Sequence, residues 1–176
     1  MTGCAVVTIP TTDGKLTPEL IKPRLHNFGV CHHSQPKAVY ISQVSELGTV
    51  YTIEEVKAIA DLLHAHNMYL HMDGARLANA CAYLKCTMKQ VTVDAGVDIL
   101  SFGGTKNGMM MGEAVISFRP EITENLQYYR KQSAQLASKL RYLSAQFIPY
   151  LEQHTELTKE DETLLAEIMA TESEWF

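Results

Sequence analysis

The chain is short of cysteine, of excess positive charge and of long apolar runs, and each shortage excludes something. Four cysteines in 176 residues, Cys4, Cys31, Cys81 and Cys86, are too few and too scattered for a disulfide scaffold. Reduced thiols in a cytoplasmic protein are the expectation. Fifteen Lys and Arg against twenty Asp and Glu give a net charge of −5, which disfavours nucleic acid or an anionic membrane as partner. A small anionic ligand stays compatible, because a few local donors can hold it. No apolar run approaches the roughly 18 residues of a membrane-spanning helix. The opening MTGCAVVTIP lacks the charged start and long apolar stretch of a signal peptide. Repeats and low-complexity linkers are missing as well. Cys31, His32 and His33 are adjacent, but no second ligand pair stands at zinc spacing, so they read as loop surface and no metal site is expected.

What is present fits one globular unit: 46% hydrophobic and 20% charged residues argue against disorder, and the length favours a single domain. TGCAVVTIP reads as a strand that begins at once. Asp13-Gly14 marks a turn, and Thr17 with Pro18 marks a helix start. KAVYISQ is rich in β-branched and aromatic residues and reads as a buried strand. Thr52 and Glu55 form a capping box, behind which Ile53, Val56, Ile59, Ala60, Leu62 and Leu63 recur at helical spacing; Asn67 marks the stop. MYLHM is a strand, ARLANACAYLKC and TMKQVTVDAG are helices, and VDILSF and EAVISF are strands. From Pro120 onward a long helical stretch is expected, and the residues after Thr155 form an acidic amphipathic segment.

This strand–helix alternation predicts an α/β fold with a mainly parallel sheet and flanking helices. Ligands of such sheets sit beyond the carboxyl ends of the strands. That edge carries Asp73 to Arg76, after MYLHM, and Gly103 to Gly108, after VDILSF. Asp73 follows a rigid strand, so its carboxylate needs a partner or caps the next helix. Arg76 in the first helical turn opposes the helix dipole and suits a carboxylate, from a ligand or from a neighbouring acid. Lys106 stands among glycines that let backbone and ligand approach closely. The loop is not a phosphate-binding loop of the Gly-Lys-Ser/Thr kind, because Thr105 precedes the lysine and Asn107 follows it. His71 alternates with Asp73 on one sheet face and reads as a core histidine or a partner of that carboxylate. Met109, Met110 and Met111 read as sheet packing, and Cys81 and Cys86 as helix packing.

A lysine that can form a Schiff base and an aspartate on a ring nitrogen are the two protein groups that pyridoxal phosphate needs. HMDGARLANA and SFGGTKNGMMMGEAVISF resemble the Asp-Gly-Ala-Arg and lysine segments of low-specificity L-threonine aldolases, in the β-eliminating lyase group of fold type I pyridoxal phosphate enzymes. DGKLTPE, VYISQVSELGTVYT and YYRKQSAQLASKLRYLSAQF resemble the same family, and the similarity covers about residues 3 to 151. The resemblance implies cleavage of L-threonine or allo-threonine to glycine and acetaldehyde by a cytoplasmic homo-oligomer. It implies that Lys106 bonds the cofactor aldehyde and Asp73 pairs with the pyridinium nitrogen. Arg76 would hold the substrate α-carboxylate and also reach the cofactor oxygen, Thr105 would serve the phosphate region, and a basic residue among Arg130, Lys139 and Arg141 would reach a cofactor phosphate across a subunit interface.

Members of that family are about twice this length. The glycine-rich phosphate loop and the ring-stacking histidine that precede the matching region have no counterpart in this sequence, and neither does a second carboxylate-binding arginine near the end. The expected organisation is a partial cofactor-binding large domain over residues 1–151 and a divergent acidic helical tail over 152–176. The expected consequence is weak or absent cofactor binding unless another segment or chain completes the site. A non-catalytic folding or oligomerisation module, a related β-eliminating lyase and an aminotransferase are the competing readings.

Overall fold

The computed structural model describes residues 3–153. They form two compact units, divided between Ser138 and Lys139.

The first unit is built on a four-stranded sheet: β1 (Ala38–Ser42), β2 (Tyr69–Gly74), β3 (Ile99–Gly103) and β4 (Glu113–Ser117). The strand order is β1-β2-β3-β4. The first three strands are parallel, with Ser42 opposite Asp73 and Asp73 opposite Ser101. β4 returns antiparallel to β3, with Gly103 opposite Glu113.

Helix α1 (Pro18–Ile21) starts where the sequence places it, with Pro18 in the first turn and the Thr17 hydroxyl accepting from Leu20 N. Helix α2 (Ile53–His64) carries the expected capping box: Thr52 Oγ1 accepts from Glu55 N, and Glu55 Oε2 accepts from Thr52 N. Between β2 and β3 lie α3 (Leu77–Leu84) and α4 (Met88–Val91), the latter with its own capping box from Thr87 and Gln90. After β4 come α5 (Pro120–Thr123) and α6 (Leu126–Gln132).

The core lies on one face of the sheet. Ile41, Leu70, Met72, Leu100 and Phe102 are buried there with Val56, Ile59, Ala60 and Leu63 of α2 and Leu77 and Ala80 of α3. The opposite face is polar and open. It carries Tyr40 (53% exposed), His71, Asp73, Ser101 and Val115 (61% exposed). Strand order follows chain order, so successive crossovers of one hand fall on the same side of the sheet. Asp98, fully buried at the start of β3, ties this layer together. It accepts from Leu70 N at 2.7 Å, from Arg119 Nε, and pairs with His64 Nε2 at 3.0 Å.

The second unit contains helices α7 (Leu140–Ser144) and α8 (Phe147–Gln153). Among the described residues no helix is long and apolar enough to cross a membrane.

Four expectations need correction. Residues 3–10 form no strand; Val6 and Val7 are exposed, and no ladder satisfies their backbone groups. The long helix after Pro120 is four short ones, and the break after α6 falls where the chain turns at Ala134, whose φ is +59°. Met109 is buried, but Met110 and Met111 are exposed. Cys86 lies beyond the end of α3 rather than on it; its amide donates to Cys81 O at 3.1 Å, and burial pushes the Cys81 thiol up to about 12. The expected acidic segment from Thr155 onward lies outside the described residues.

Candidate active site

At the carboxyl edge of the sheet, one cleft is lined by Ser42, Gln43, Val44, Glu46, Asp73, Ala75, Arg76 and Lys106. These residues come from three successive strand ends, which the parallel register brings level.

Asp73 is held on both oxygens. Ala75 N donates to Oδ1 at 2.9 Å, and the Tyr40 hydroxyl donates to Oδ2 at 3.0 Å. The helix-cap alternative is thereby narrowed: Asp73 closes a turn ahead of α3, and Arg76 occupies the residue before its first turn. Tyr40 also meets Ser42 Oγ at 3.0 Å. Burial, partly offset by Ser42 and reinforced by the Asp73 carboxylate, pushes the Tyr40 phenol above its ordinary value, so it stays a donor. His71 shares this face. Its Nε2 lies 2.9 Å from Ser101 Oγ, and its ring sits 5.3 Å from that of Tyr40. Burial lowers its pKa, against the pull of Asp73, so the ring is neutral near pH 7. His71 therefore bonds Ser101, and Asp73 takes its partner from Tyr40.

Arg76 Nη1 lies 3.4 Å from Glu46 Oε1. Glu46 sits on a tight turn after β1. Ser45 N donates to Thr49 O at 3.0 Å, Gly48 N donates to Ser45 O at 2.9 Å, and the Ser45 and Thr49 hydroxyls meet at 2.5 Å. The base of this turn is fixed to the sheet. Gln43 N donates to Asp73 O at 2.8 Å, and the buried Gln43 amide donates to Tyr51 O and accepts from Tyr51 N. The Asp13–Gly14 turn braces it from outside: Thr49 donates to Asp13 O at 2.6 Å, and Gly14, at φ +78°, has no room for a side chain beside Ser45.

Lys106 stands in a short 3₁₀ turn, Thr105–Asn107, at the tip of the β3–β4 connection. That connection is closed by Gly104 N donating to Gly112 O at 2.8 Å and Gly112 N donating to Thr105 Oγ1 at 3.1 Å. Thr105 thus shapes the loop and does not line the cleft. Asn107 donates to Gly103 O. A Cβ on Gly103 would come within 2.6 Å of Ala75 Cα, so only glycine lets β3 pass this close to the turn after Asp73. The Lys106 ammonium makes no ion pair among the described residues.

The sequence reading brought Asp73, Arg76 and Lys106 together, and the structure places all three on one cleft. It missed Glu46 and Tyr40. Tyr40 was accessible through strand alternation, since it lies two residues before Ser42, which pairs with Asp73. Glu46 lies in a loop, where no periodicity points to a partner.

A mainly parallel sheet with an aspartate ending one strand and a lysine on the glycine loop ending the next defines the large-domain fold of a fold type I pyridoxal phosphate enzyme. Within that class the chain belongs to the beta-eliminating lyase family, whose profile matches residues 1–174. It is 45% identical over 150 residues to a low specificity L-threonine aldolase of a Pseudomonas species, covering 85% of this chain and 43% of that protein. It is 41% identical over 173 residues to the low specificity L-threonine aldolase of Pseudomonas aeruginosa, covering 96% of this chain and 50% of that protein. The chain therefore spans about half the length of these relatives. Among solved structures, the threonine aldolase of Leishmania major superposes with a TM-score of 0.68 at 38% identity, over 74% of this chain and 38% of that one. A putative L-allo-threonine aldolase of Listeria monocytogenes shares the fold, with a TM-score of 0.53 at 19% identity, over 73% of this chain and 33% of that one.

Proposed function

We propose that this chain carries the lysine-bearing part of a pyridoxal phosphate site that cleaves a β-hydroxy-α-amino acid, L-threonine or allo-threonine, to glycine and acetaldehyde. The observation that carries this reading is the convergence of Lys106, Asp73 and Arg76 on one cleft. The donor set suits the ring half of the cofactor: a lysine amine with no ion pair among the described residues for its aldehyde, and an anchored carboxylate for its ring nitrogen. When bound, the cofactor supplies an electron-withdrawing ring that holds the electron pair of the breaking Cα–Cβ bond.

The chain's own residues do the rest. Asp73, held by Ala75 and Tyr40, would keep the ring nitrogen protonated. Arg76 grips the substrate α-carboxylate with its planar fork. Lys106, carried on a loop closed at Gly104 and Gly112, would hold the cofactor through its aldehyde and would be placed to return a proton to Cα. Thr105, bonded to Gly112, would set the shape of the loop that presents Lys106. The same reading assigns the chain to the cytoplasm and to a homo-oligomer; the exposed Tyr128, Tyr129 and Leu136 support the assembly, which sedimentation analysis checks.

The deciding experiment adds pyridoxal phosphate to the purified chain. The yellow absorbance of lysine-bound cofactor is expected in the wild type and lost in Lys106→Ala. A wild type that stays colourless, alone and mixed with its natural partners, refutes the reading. Glycine plus aldehyde as products, rather than pyruvate plus ammonia, separates the aldolase from a β-eliminating enzyme.

A further inference from the structure

Breaking a Cα–Cβ bond beside a hydroxyl requires an acceptor for the hydroxyl proton, because the departing carbon becomes a carbonyl. Among the described residues the cleft holds two carboxylates, Asp73 and Glu46. Asp73 is committed: both oxygens are bonded, and the proposed ring nitrogen takes its remaining capacity. Glu46 is different. Its contact with Arg76 is long, at 3.4 Å, and its side chain is 79% exposed. Exposed pairs of this kind contribute only about 0–1 kcal/mol. An incoming α-carboxylate that bonds the guanidinium through two parallel N–H groups outcompetes it. The backbone under Glu46 does not leave with the side chain, because the Ser45–Thr49 turn and the Gln43–Tyr51 bonds hold it at the sheet edge. Once displaced, the carboxylate stays beside the bound substrate. Glu113 also approaches this edge, but it faces Gly103 and does not line the cleft.

We propose that Glu46 is a catalytic residue: it occupies Arg76 in the free chain, yields it to the substrate α-carboxylate, and then accepts the β-hydroxyl proton. This inference rests on the aldolase function proposed above. The O–H bond breaks and its proton passes to a Glu46 carboxylate oxygen. The O–H electron pair becomes the second bond of the aldehyde C=O. The Cα–Cβ bond breaks and its pair remains on Cα, which then takes a proton to give glycine. Glu46 releases its proton to water, so no acid or base is consumed.

The test uses the full chain with pyridoxal phosphate and the variants Glu46→Gln, Glu46→Asp and Glu113→Gln. Two reactions are followed: threonine cleavage, and exchange of the glycine Cα proton into D₂O by NMR. Exchange needs Lys106 and the cofactor but involves no hydroxyl. A third readout, without cofactor, is L-threonine binding monitored through the Arg76 side-chain N–H signal. Glu46→Gln is expected to slow cleavage by about 100-fold or more, the range for losing a general base, while exchange stays within about threefold. Threonine should perturb the Arg76 signal at lower concentration in Glu46→Gln, because the internal competitor is gone. Glu46→Asp should recover part of the cleavage, and Glu113→Gln should match wild type. Cleavage unchanged in Glu46→Gln, equal loss of both reactions, or unchanged threonine binding overturns the role of Glu46 while leaving the aldolase reading intact. A wild type with neither exchange nor cleavage overturns that reading, and the role of Glu46 with it.

Discussion

Tyr40 and His71 sit side by side on the open face of the sheet, yet they act on different partners. The Tyr40 hydroxyl is the side-chain donor to Asp73, at 3.0 Å. A hydrogen bond to a charged group contributes about 1.5–3 kcal/mol when buried, and about 1 kcal/mol at a half-exposed position like this one. Tyr40→Phe should therefore weaken cofactor binding by about fivefold without unfolding the chain, as measured by titrating the yellow absorbance. His71 gives a pH effect instead. Burial sets its folded pKa below the ordinary value of 6.5, so the unfolded chain binds a proton that the folded chain refuses. Stability falls as pH drops through about 6.5 and levels off below the folded pKa. Urea midpoints at pH 7 and pH 5 should differ less in His71→Gln than in wild type.

Residue chemistry also explains which chain reversals could be read beforehand. Asn67, Lys85 and Ala134 all adopt left-handed backbone after a helix. Around each, an amide reaches back five residues: Met68 to Leu63, Cys86 to Cys81 and Gln135 to Arg130. Asn tolerates that conformation well, so the stop at Asn67 was legible in the sequence. Lys85 and Ala134 carry no such mark, and the long helix expected after Pro120 failed at the second of them.

At the scale of elements, the β3 start is the junction of the fold. Asp98 there serves Leu70 N on β2, His64 on α2 and Arg119 after β4. Removing its carboxylate strands a buried amide and two cationic or polar side chains at once. Asp98→Ala should cost about 3 kcal/mol in urea unfolding, more than Thr52→Ala at the α2 cap, at about 1 kcal/mol. Asp98 was not singled out from the sequence, because a buried acid cannot be told from a surface one without its partners. The strands themselves were legible, since AVYIS, YLHMDG, ILSFG and EAVIS carry β-branched and apolar residues between clear turn signals. The apolar opening segment misled for the opposite reason: its pattern suits a strand, but strand formation depends on a neighbour that pattern alone cannot supply.

For the molecule as a whole, every residue lining the cleft belongs to the first compact unit. A chain ending at Ser138 should keep the circular dichroism of an α/β fold and the same Lys106-dependent absorbance. Loss of either would show that residues beyond 138 support the site. The class of fold and the positions of Asp73, Arg76 and Lys106 were readable because sheet edges collect chemistry at predictable places. The loop partner Glu46 was not, because its position depends on how the Ser45–Thr49 turn folds back toward Arg76.

The strand order carries a practical consequence. Since β1, β2, β3 and β4 lie beside one another in the order in which they are encoded, the cleft is a contiguous cassette in the gene. Randomising residues 42–46, 73–76 and 105–107 in one short synthetic fragment would reach every residue that lines this cleft among the described residues. On the proposed function, substrate preference could then be re-selected by exchanging that fragment, with the α2, α3 and α4 positions inside it kept at their present residues.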